Sequence, residues 1–192
     1  MSKRLVAGLS TLLFLMASAN VLLIRQNLQM RQALNRLEPH GLKEGEKVPP
    51  FTASGLHGEP IDVNYTGDGR KTVLFFFTPT CPFCRQQFPY WKEILGRVDG
   101  ERFQVIGLVD QSEDKTKVAE YMRAMGCSTD SQSPLRIAFV TKDIRRNYKL
   151  SETPITLIVA NDGTVEKAWA GRWSGGDAAT ASTILGFNFS LH

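Results

Sequence analysis

The feature that most constrains the fold is a long apolar run that ends shortly before two closely spaced cysteines. Residues 72–77 are a threonine, a valine, a leucine and three phenylalanines, and Cys81 and Cys84 follow after Pro79. A continuous apolar run of this length is typical of a strand buried on both faces, as the central strands of parallel sheets are. The sequence therefore predicts a central strand whose end presents the two cysteines.

A helix is predicted directly after this strand. Pro82 can occupy the first turn of a helix without losing a needed hydrogen bond. From Phe83 onwards the apolar side chains recur at helical spacing. They are Phe88, Trp91, Ile94, Leu95 and Val98. Cys81 is thus placed at the N-terminus of a helix, immediately after a buried strand.

The remaining pattern predicts an α/β domain with a mixed central sheet flanked by helices. Further strands are expected at residues 103–109, 137–140, 155–160 and 164–170, and further helices at 113–125, 142–148 and 177–185. A strand, a helix and a second strand in succession form a βαβ unit. The turn Asn161-Asp162-Gly163 between the last two strands is the clearest hairpin signal, so antiparallel strands join the parallel ones. A small N-terminal hairpin of residues 51–54 and 60–63 is expected ahead of the main sheet.

The position of Cys81 suits nucleophilic thiol chemistry. A thiolate is the species that attacks a disulfide, and the N–H groups and positive dipole end of a helix N-terminus lower a thiol pKa. Cys84 lies about one helical turn further on, so it is expected on the same face and less exposed. Cys81 is therefore predicted to attack, and Cys84 to resolve the mixed disulfide, with a Cys81–Cys84 redox disulfide as the product. An inert buried pair of thiols is the alternative.

The cysteine and histidine counts argue against other uses of these thiols. Three cysteines cannot form a disulfide framework, because a Cys-x-x-Cys pair leaves Cys127 over. Structural zinc sites need four ligands, and the three histidines are scattered through the predicted linker, turn and tail. A haem-attachment motif would need histidine where Arg85 stands. No metal ion and no other cofactor is predicted, and Cys127 is expected to be either a third redox thiol or an incidental small residue.

The charge pattern gives no sign of a nucleic-acid partner. The net charge is +4 at pH 7, but charges of both signs alternate through most of the chain. No block of lysine and arginine of the kind that follows a phosphate backbone is present in the sequence. Nucleic acid is therefore not among the predicted partners.

The N-terminal region predicts one transmembrane helix that binds the protein to a membrane. Residues 5–24 contain no charged residue, and about 20 such residues are enough to cross a bilayer core as a helix. Residues 1–4 form a basic flank, as in a signal anchor. The small residues 17–19 resemble a cleavage site, so removal as a signal peptide is the alternative. The apolar run continues beyond them to Ile24, which favours an uncleaved anchor.

Residues 25–44 are expected to form a stalk and linker, and residues 45–192 a single globular domain. Arg25, Arg31 and Arg36 follow the hydrophobic segment and outnumber the basic residues before it, so the charges do not decide its orientation. A tethered Cys-x-x-Cys protein is most useful where disulfides persist. The domain is therefore expected on the extracytoplasmic, periplasmic side of the membrane.

The segment FFFTPTCPFCRQQFPY, residues 75–90, resembles the active-site region of the membrane-anchored, extracytoplasmic thioredoxin-like proteins of the ResA/TlpA type. The likeness extends from about Gly45 to Gly171. Its second landmark is ETPIT, residues 152–156, where thioredoxin-like folds carry a cis-proline facing the cysteine pair. The resemblance implies a thioredoxin-like fold, a cis bond before Pro154, and a Thr153 backbone that pairs with an extended substrate segment.

Three positions depart from the pattern of these relatives. Thr80 stands where thioredoxin has a tryptophan, and Phe75 where it has a buried aspartate. Gln87 replaces a glutamate that many ResA/TlpA-type proteins carry three residues after the second cysteine. One turn beyond Cys84, Gln87 is expected either to face the cysteine pair or to point to solvent. Thr80 and Gln87 are therefore candidate tuning residues, and the direction of electron flow does not carry over from the relatives.

The resemblance implies a protein thiol–disulfide oxidoreductase. The leading hypothesis is a reductase for the dithiols and disulfides of exported proteins, for instance in cytochrome c maturation, supplied by an upstream membrane or soluble thiol donor. The alternatives are a disulfide oxidase or isomerase on the same fold, a thiol peroxidase, and a non-enzymatic metallochaperone. Thr78 and Cys81 fit the Thr-x-x-Cys pattern of peroxidases, but Leu74 stands where their proline is expected.

Overall fold

The computed structural model describes residues 16–27, 41–67, 69–128 and 135–190, which belong to two compact units, Met1–Pro39 and His40–His192. In the first unit, residues 16–27 form a helix, α1. Its large apolar side chains are exposed, namely Met16, Val21, Leu22, Leu23 and Ile24. Among the described residues, no helix is both long and apolar enough to cross a membrane. Residues 5–15 of the predicted anchor and 28–40 of the predicted stalk and linker lie outside the described residues.

The second unit is built on one mixed sheet. Its described strands are β1 (Phe51–Gly55), β2 (Pro60–Val63), β3 (Lys71–Phe76), β4 (Phe103–Asp110), β5 (Leu135–Val140), β6 (Ile155–Val159) and β7 (Val165–Ala170). The helices are α2 (Pro82–Arg97), α3 (Lys115–Ala124), α4 (Lys142–Asn147) and α5 (Gly175–Leu185). The strand order is β2-β1-β5-β4-β3-β6-β7.

The pairing of the strands confirms the predicted topology. Strand β3 is parallel to β4, and β4 is parallel to β5, as a βαβ arrangement requires. Strand β6 is antiparallel to both β3 and β7, and the β6–β7 turn contains Gly163 with a positive φ of 82°. The predicted N-terminal hairpin is the β1–β2 pair, and β1 also joins the edge of β5. The sheet is mixed because the two hairpins flank a parallel centre.

Strand β3 lies between two hydrophobic cores, as its apolar run predicts. Val73, Phe75 and Phe77 point into the core beneath α2, α3 and α5, which we call the α2-face core. Leu74 and Phe76 point to the opposite side, into the core that α4 and the segment around Val48 help to cover, which we call the α4-face core. Each of these five β3-segment side chains is at most 4% exposed. The strand end that carries the cysteines is thereby fixed from both faces.

Candidate active site

Cys81 is the N-cap of α2, directly after the end of β3. Its backbone is extended, with φ −77° and ψ 117°, and Pro82 occupies the first helical turn. The Cys81 N–H donates to the Thr78 carbonyl at 3.2 Å, which closes the turn between strand and helix. The Cys84 N–H donates to Cys81 Sγ at 3.3 Å, so the sulfur caps the helix. The predicted placement of Cys81 at a helix N-terminus is confirmed.

The two thiols differ sharply in exposure. Cys81 is half-buried, whereas Cys84 is 0% exposed in the α2-face core, and both are free thiols in the structure. Partial burial alone would raise the pKa of Cys81, but hydrogen bonds with the side chains of Cys84 and Thr153 and with backbone N–H groups lower it. Burial raises the pKa of Cys84 to about 12. Cys81, the more accessible of the two thiols, is therefore the more readily ionised one.

The loop before β6 completes the site. The Thr153–Pro154 peptide bond is cis, as the resemblance implies. The Cys81 thiol donates to the Thr153 carbonyl at 3.5 Å, although 72 residues separate the two in sequence. Pro154 is buried, and its carbonyl accepts from the Gly171 N–H at 2.7 Å. The structure thus brings Cys81, Cys84 and the Thr153 backbone together at one edge of the sheet.

Gln87 is fully buried in the layer between α2 and the segment that follows β7. Its Oε1 accepts a hydrogen bond from the Trp173 N–H at 2.8 Å, and its Nε2 has no partner among the described residues. The solvent-facing alternative for Gln87 is therefore wrong. Its side chain joins α2 to residue 173 by a hydrogen bond. Its effect on the thiol pKa values stays a prediction.

Thr80 is exposed and belongs to a short chain of hydrogen bonds. Its hydroxyl lies 3.2 Å from the Thr78 hydroxyl, which donates to Glu113 Oε1 at 2.6 Å. Sequence reasoning did not place Glu113 in the site. A signal existed, because the carboxyl ends of the parallel strands β3 and β4 meet at one edge of the sheet, and Thr78 and Glu113 follow those ends.

Two further residues with thiol or hydroxyl groups lie in or against the α2-face core. Cys127 is half-buried after α3, and burial raises its pKa. Tyr121 stacks on Phe77 with a ring-centroid distance of 5.6 Å and packs edge-on against Phe88. Its hydroxyl is buried without a hydrogen-bond partner in the part of the chain that the structure describes. Nothing in the sequence indicated an unpaired hydroxyl at this position.

A comparison with family models decides the relationship of this chain. The model of the AhpC/TSA family matches residues 45–168, which covers both cysteines and the Thr153–Pro154 loop. The chain belongs to the AhpC/TSA family. The resemblance to thioredoxin-like proteins inferred from residues 75–90 and 152–156 is thereby confirmed.

Several curated proteins are distantly similar to this chain. Thioredoxin-like protein YneN of Bacillus subtilis is 26% identical over 131 residues, 68% of this chain and 74% of YneN. Sporulation thiol-disulfide oxidoreductase A of the same organism is 22% identical over 140 residues, 69% of this chain and 80% of that protein. Methylamine utilization protein MauD of Methylobacillus flagellatus is 24% identical over 66% of this chain, and the match spans only 57% of MauD.

Solved structures share the thioredoxin fold with this AhpC/TSA-family chain. The thioredoxin domain of a thiol-disulfide oxidoreductase from Bacteroides vulgatus superposes with a TM-score of 0.59 at 18% identity, covering 75% of this chain and 99% of that domain. A secreted disulfide oxidoreductase of Mycobacterium tuberculosis has a TM-score of 0.53 at 20% identity, covering 70% and 96%. The chain is an enzyme, a thiol–disulfide oxidoreductase with a thioredoxin-like fold.

Proposed function

We propose that this oxidoreductase is a dithiol reductase that uses Cys81 as nucleophile and Cys84 as resolving thiol on disulfides of exported proteins. The observation that carries the proposal is the asymmetry of the pair: Cys81 is accessible at a helix N-terminus with a lowered pKa, and Cys84 is buried behind it. The accessible thiolate is suited to a first attack, and the buried thiol to a second attack within the complex.

The exchange balances as two successive displacements. Cys81 Sγ attacks one sulfur of the substrate disulfide, a mixed disulfide forms, and the other substrate sulfur leaves as a thiolate that takes up a proton. Cys84 then loses its proton and attacks Cys81 Sγ, which forms the Cys81–Cys84 disulfide and releases the second substrate thiol. The two electrons come from the protein dithiol, so an upstream membrane or soluble thiol donor must reduce it again.

The Thr153–Pro154 loop is the proposed docking site for the substrate backbone. The Thr153 carbonyl lies 3.5 Å from Cys81 Sγ, so an extended segment paired with the Thr153 backbone would place its own cysteine over the reactive sulfur. Main-chain pairing of this kind gives affinity that does not depend on the substrate sequence. We propose Thr80 and Gln87 as residues that tune the thiols.

A disulfide oxidase or isomerase is the second candidate, and one observation favours it. A lowered pKa of Cys81 stabilises the reduced enzyme, which makes a dithiol more oxidising. The raised pKa of Cys84 acts in the opposite direction. Equilibration with a glutathione redox buffer decides between them: a reductase is expected near thioredoxin at about −270 mV, whereas a value near about −120 mV would identify an oxidase.

We also propose that residues 5–24 anchor the protein in a membrane, that residues 25–44 are a stalk and linker, and that domain 45–192 faces the extracytoplasmic side. The uncharged run of residues 5–24 supports the anchor. A relative named soluble secreted antigen MPT53 of Mycobacterium tuberculosis, 36% identical over 56 residues, supports the compartment. A disulfide of apocytochrome c is one exported substrate that such a reductase would convert to the dithiol.

The compartment is tested by labelling the thiols of intact cells whose outer barrier has been removed. After mild reduction, a membrane-impermeant thiol reagent is expected to modify Cys81 before lysis. Labelling that occurs only after lysis would place the domain in the cytosol.

A further inference from the structure

A cavity of about 240 Å³ is lined in part by Thr153, the residue whose carbonyl contacts the reactive sulfur. Thr78 and Thr153 form the side of the cavity that borders the thiol site, and the Thr153 carbonyl is the group that contacts Cys81 Sγ. Phe76 and Phe77 border the cavity at the end of β3, but their side chains are almost fully buried in the two cores. A side chain that leaves a substrate segment near its reacting cysteine would therefore enter this cavity while the backbone lies on Thr153.

The charges around the cavity do not balance. Four charged residues line it, namely Asp110, Glu113, Arg145 and Glu152. Arg145 forms an ion pair with Asp110 and also donates to the Leu150 carbonyl at 3.2 and 3.3 Å. Partial burial would raise the pKa of Asp110, but hydrogen bonds from Ser112 and Arg145 lower it, so Asp110 stays ionised and its charge is compensated.

Two carboxylates have no cationic partner among the described residues. Within that part of the chain, Glu113 accepts only from the neutral Thr78 hydroxyl, at 2.6 Å. Glu152 is exposed at the rim, and within the described part of the chain it makes no hydrogen bond or ion pair. The residues that line the cavity therefore carry an excess negative charge of two.

We propose that this cavity is a specificity subsite that receives a lysine or arginine side chain of the substrate, next to the cysteine that Cys81 attacks. The inference rests on the proposed reductase function and adds the class of substrate segment to it. Lysine and arginine carry their charge at the end of a long stem, so the head can approach Glu113 and Glu152 while the backbone of the segment lies on Thr153. Complementary charges of this kind steer encounter and fix the register of the bound segment.

The test uses short peptides with one cysteine in a mixed disulfide with neutral 2-mercaptoethanol. Lysine, glutamine or glutamate is placed in turn at each of the two positions on either side of the cysteine, and single-turnover reduction by the pre-reduced protein is timed. At one position we expect lysine to be reduced about two- to tenfold faster than glutamine, and glutamate more slowly, as exposed charge pairs allow. The ratio should shrink as salt is added.

Isosteric variants assign the preference to the cavity. In the double variant Glu113→Gln, Glu152→Gln the lysine-to-glutamine ratio is expected to fall to about one, since glutamine still accepts from Thr78. The exposed Glu152→Gln variant alone should lower the ratio in part. Glu120→Gln removes one charge from the exposed face of α3, outside the cavity, and should leave the ratio unchanged.

The outcomes separate the two proposals. Reduction of every peptide at the same rate, a preference for glutamate, or a lysine preference that survives in the double variant would overturn the subsite. Failure to reduce any peptide, with the dithiol intact, would instead overturn the proposed reductase function.

Discussion

The two cores on either side of β3 differ in the hydrogen bonding of their buried polar groups. In the α4-face core, the Tyr65 and Tyr148 hydroxyls lie 2.6 Å apart, and Tyr148 also donates to the Pro49 carbonyl at 2.5 Å. In the α2-face core, three buried polar atoms have no partner among the described residues: Gln87 Nε2, the Tyr121 hydroxyl and Trp173 Nε1. One sheet therefore separates a core with paired hydroxyls from one with unpaired polar atoms.

The difference follows the location of the chemistry. An unsatisfied buried polar group costs about 1–3 kcal/mol, so few are tolerated without a reason. Here they lie in the core that buries Cys84, whereas the α4-face core holds no cysteine. Proteins generally break packing rules at functional sites and keep them elsewhere. The α4-face core acts as the scaffold, and the α2-face core combines packing with the environment of the thiols.

The largest effect is expected from removing the thiol that the α2-face core buries. Cys84→Ser should lose turnover and accumulate mixed disulfides through Cys81, because the first attack survives and the resolving attack does not. Cys81→Ser should trap nothing. Non-reducing gels of protein incubated with a disulfide substrate show the adducts, and Cys127→Ser serves as the control that keeps turnover. Equal trapping by both variants would refute the assigned roles.

A charge placed in the same core should have the next largest effect. Gln87→Glu keeps the acceptor for the Trp173 N–H but places a carboxyl group in a fully buried position, so it should lower the free energy of unfolding at pH 7 by about 2–4 kcal/mol. The loss should be smaller near pH 5, because burial raises the pKa of the new carboxyl group and favours its neutral form below that pKa. Denaturant unfolding at the two pH values measures it.

The Gln87→Glu substitution should also change the pKa values of the thiols. If the ionised carboxylate lies close enough to Cys84, repulsion should raise the thiol pKa values by roughly one unit, which thiolate absorbance detects. Gln86→Glu, on the exposed neighbour of the same helix, is the matched control and should change neither stability nor titration appreciably. Superimposable thiol titrations for wild type and Gln87→Glu would show that residue 87 does not tune the site.

A pair of hydroxyl deletions compares the two cores directly. Tyr148→Phe should lower the free energy of unfolding by about 1–3 kcal/mol, because Tyr65 and the Pro49 carbonyl both lose a partner. Tyr121→Phe removes a hydroxyl that has no partner among the described residues, so stability should stay constant or rise by up to about 1 kcal/mol. Urea titrations measure both. Equal losses would contradict the contrast between the cores.

The smallest expected effect is a difference in alkylation rate between the three thiols that lie in or against the α2-face core. Because the pKa of Cys81 is lowered, its alkylation by iodoacetamide should show a midpoint below the ordinary thiol value of 9.0. Cys127 and Cys84, whose pKa values are raised by burial, should react only at higher pH. Peptide mapping by mass spectrometry follows each cysteine separately. A Cys81 profile that coincides with that of Cys127 would remove the proposed activation.

Local pattern was sufficient to predict the elements that carry the site. The apolar run of β3, the proline after Cys81 and the Asn161-Asp162-Gly163 turn each act within a few residues, so the strand end, the helix start and the mixed sheet followed from the sequence. The cis bond at Pro154 came only from the resemblance to relatives. The largest boundary differences are about two residues, at the starts of α3, β5 and α5.

Contacts between distant segments could not be predicted in the same way. Gln87 pairs with a backbone N–H 86 residues later, and Glu113 meets a hydroxyl 35 residues earlier. Both depend on how α2 and the strand ends pack, which no periodicity encodes. Until its neighbours are known, a glutamine on a helix can be expected equally well to face solvent or to form a buried hydrogen bond with another segment.

Because Cys81 Sγ caps α2, the hydrogen bonding at the N-terminus of the helix depends on whether that sulfur is free or part of a disulfide. The Cys84 amide is held by the same atom that becomes bonded to substrate, and a disulfide sulfur is a poorer acceptor than a thiolate. Each catalytic cycle should therefore loosen and restore the first turn of the helix. The rate of hydrogen–deuterium exchange at the Cys84 amide would then indicate the oxidation state of the enzyme, with no covalent probe attached.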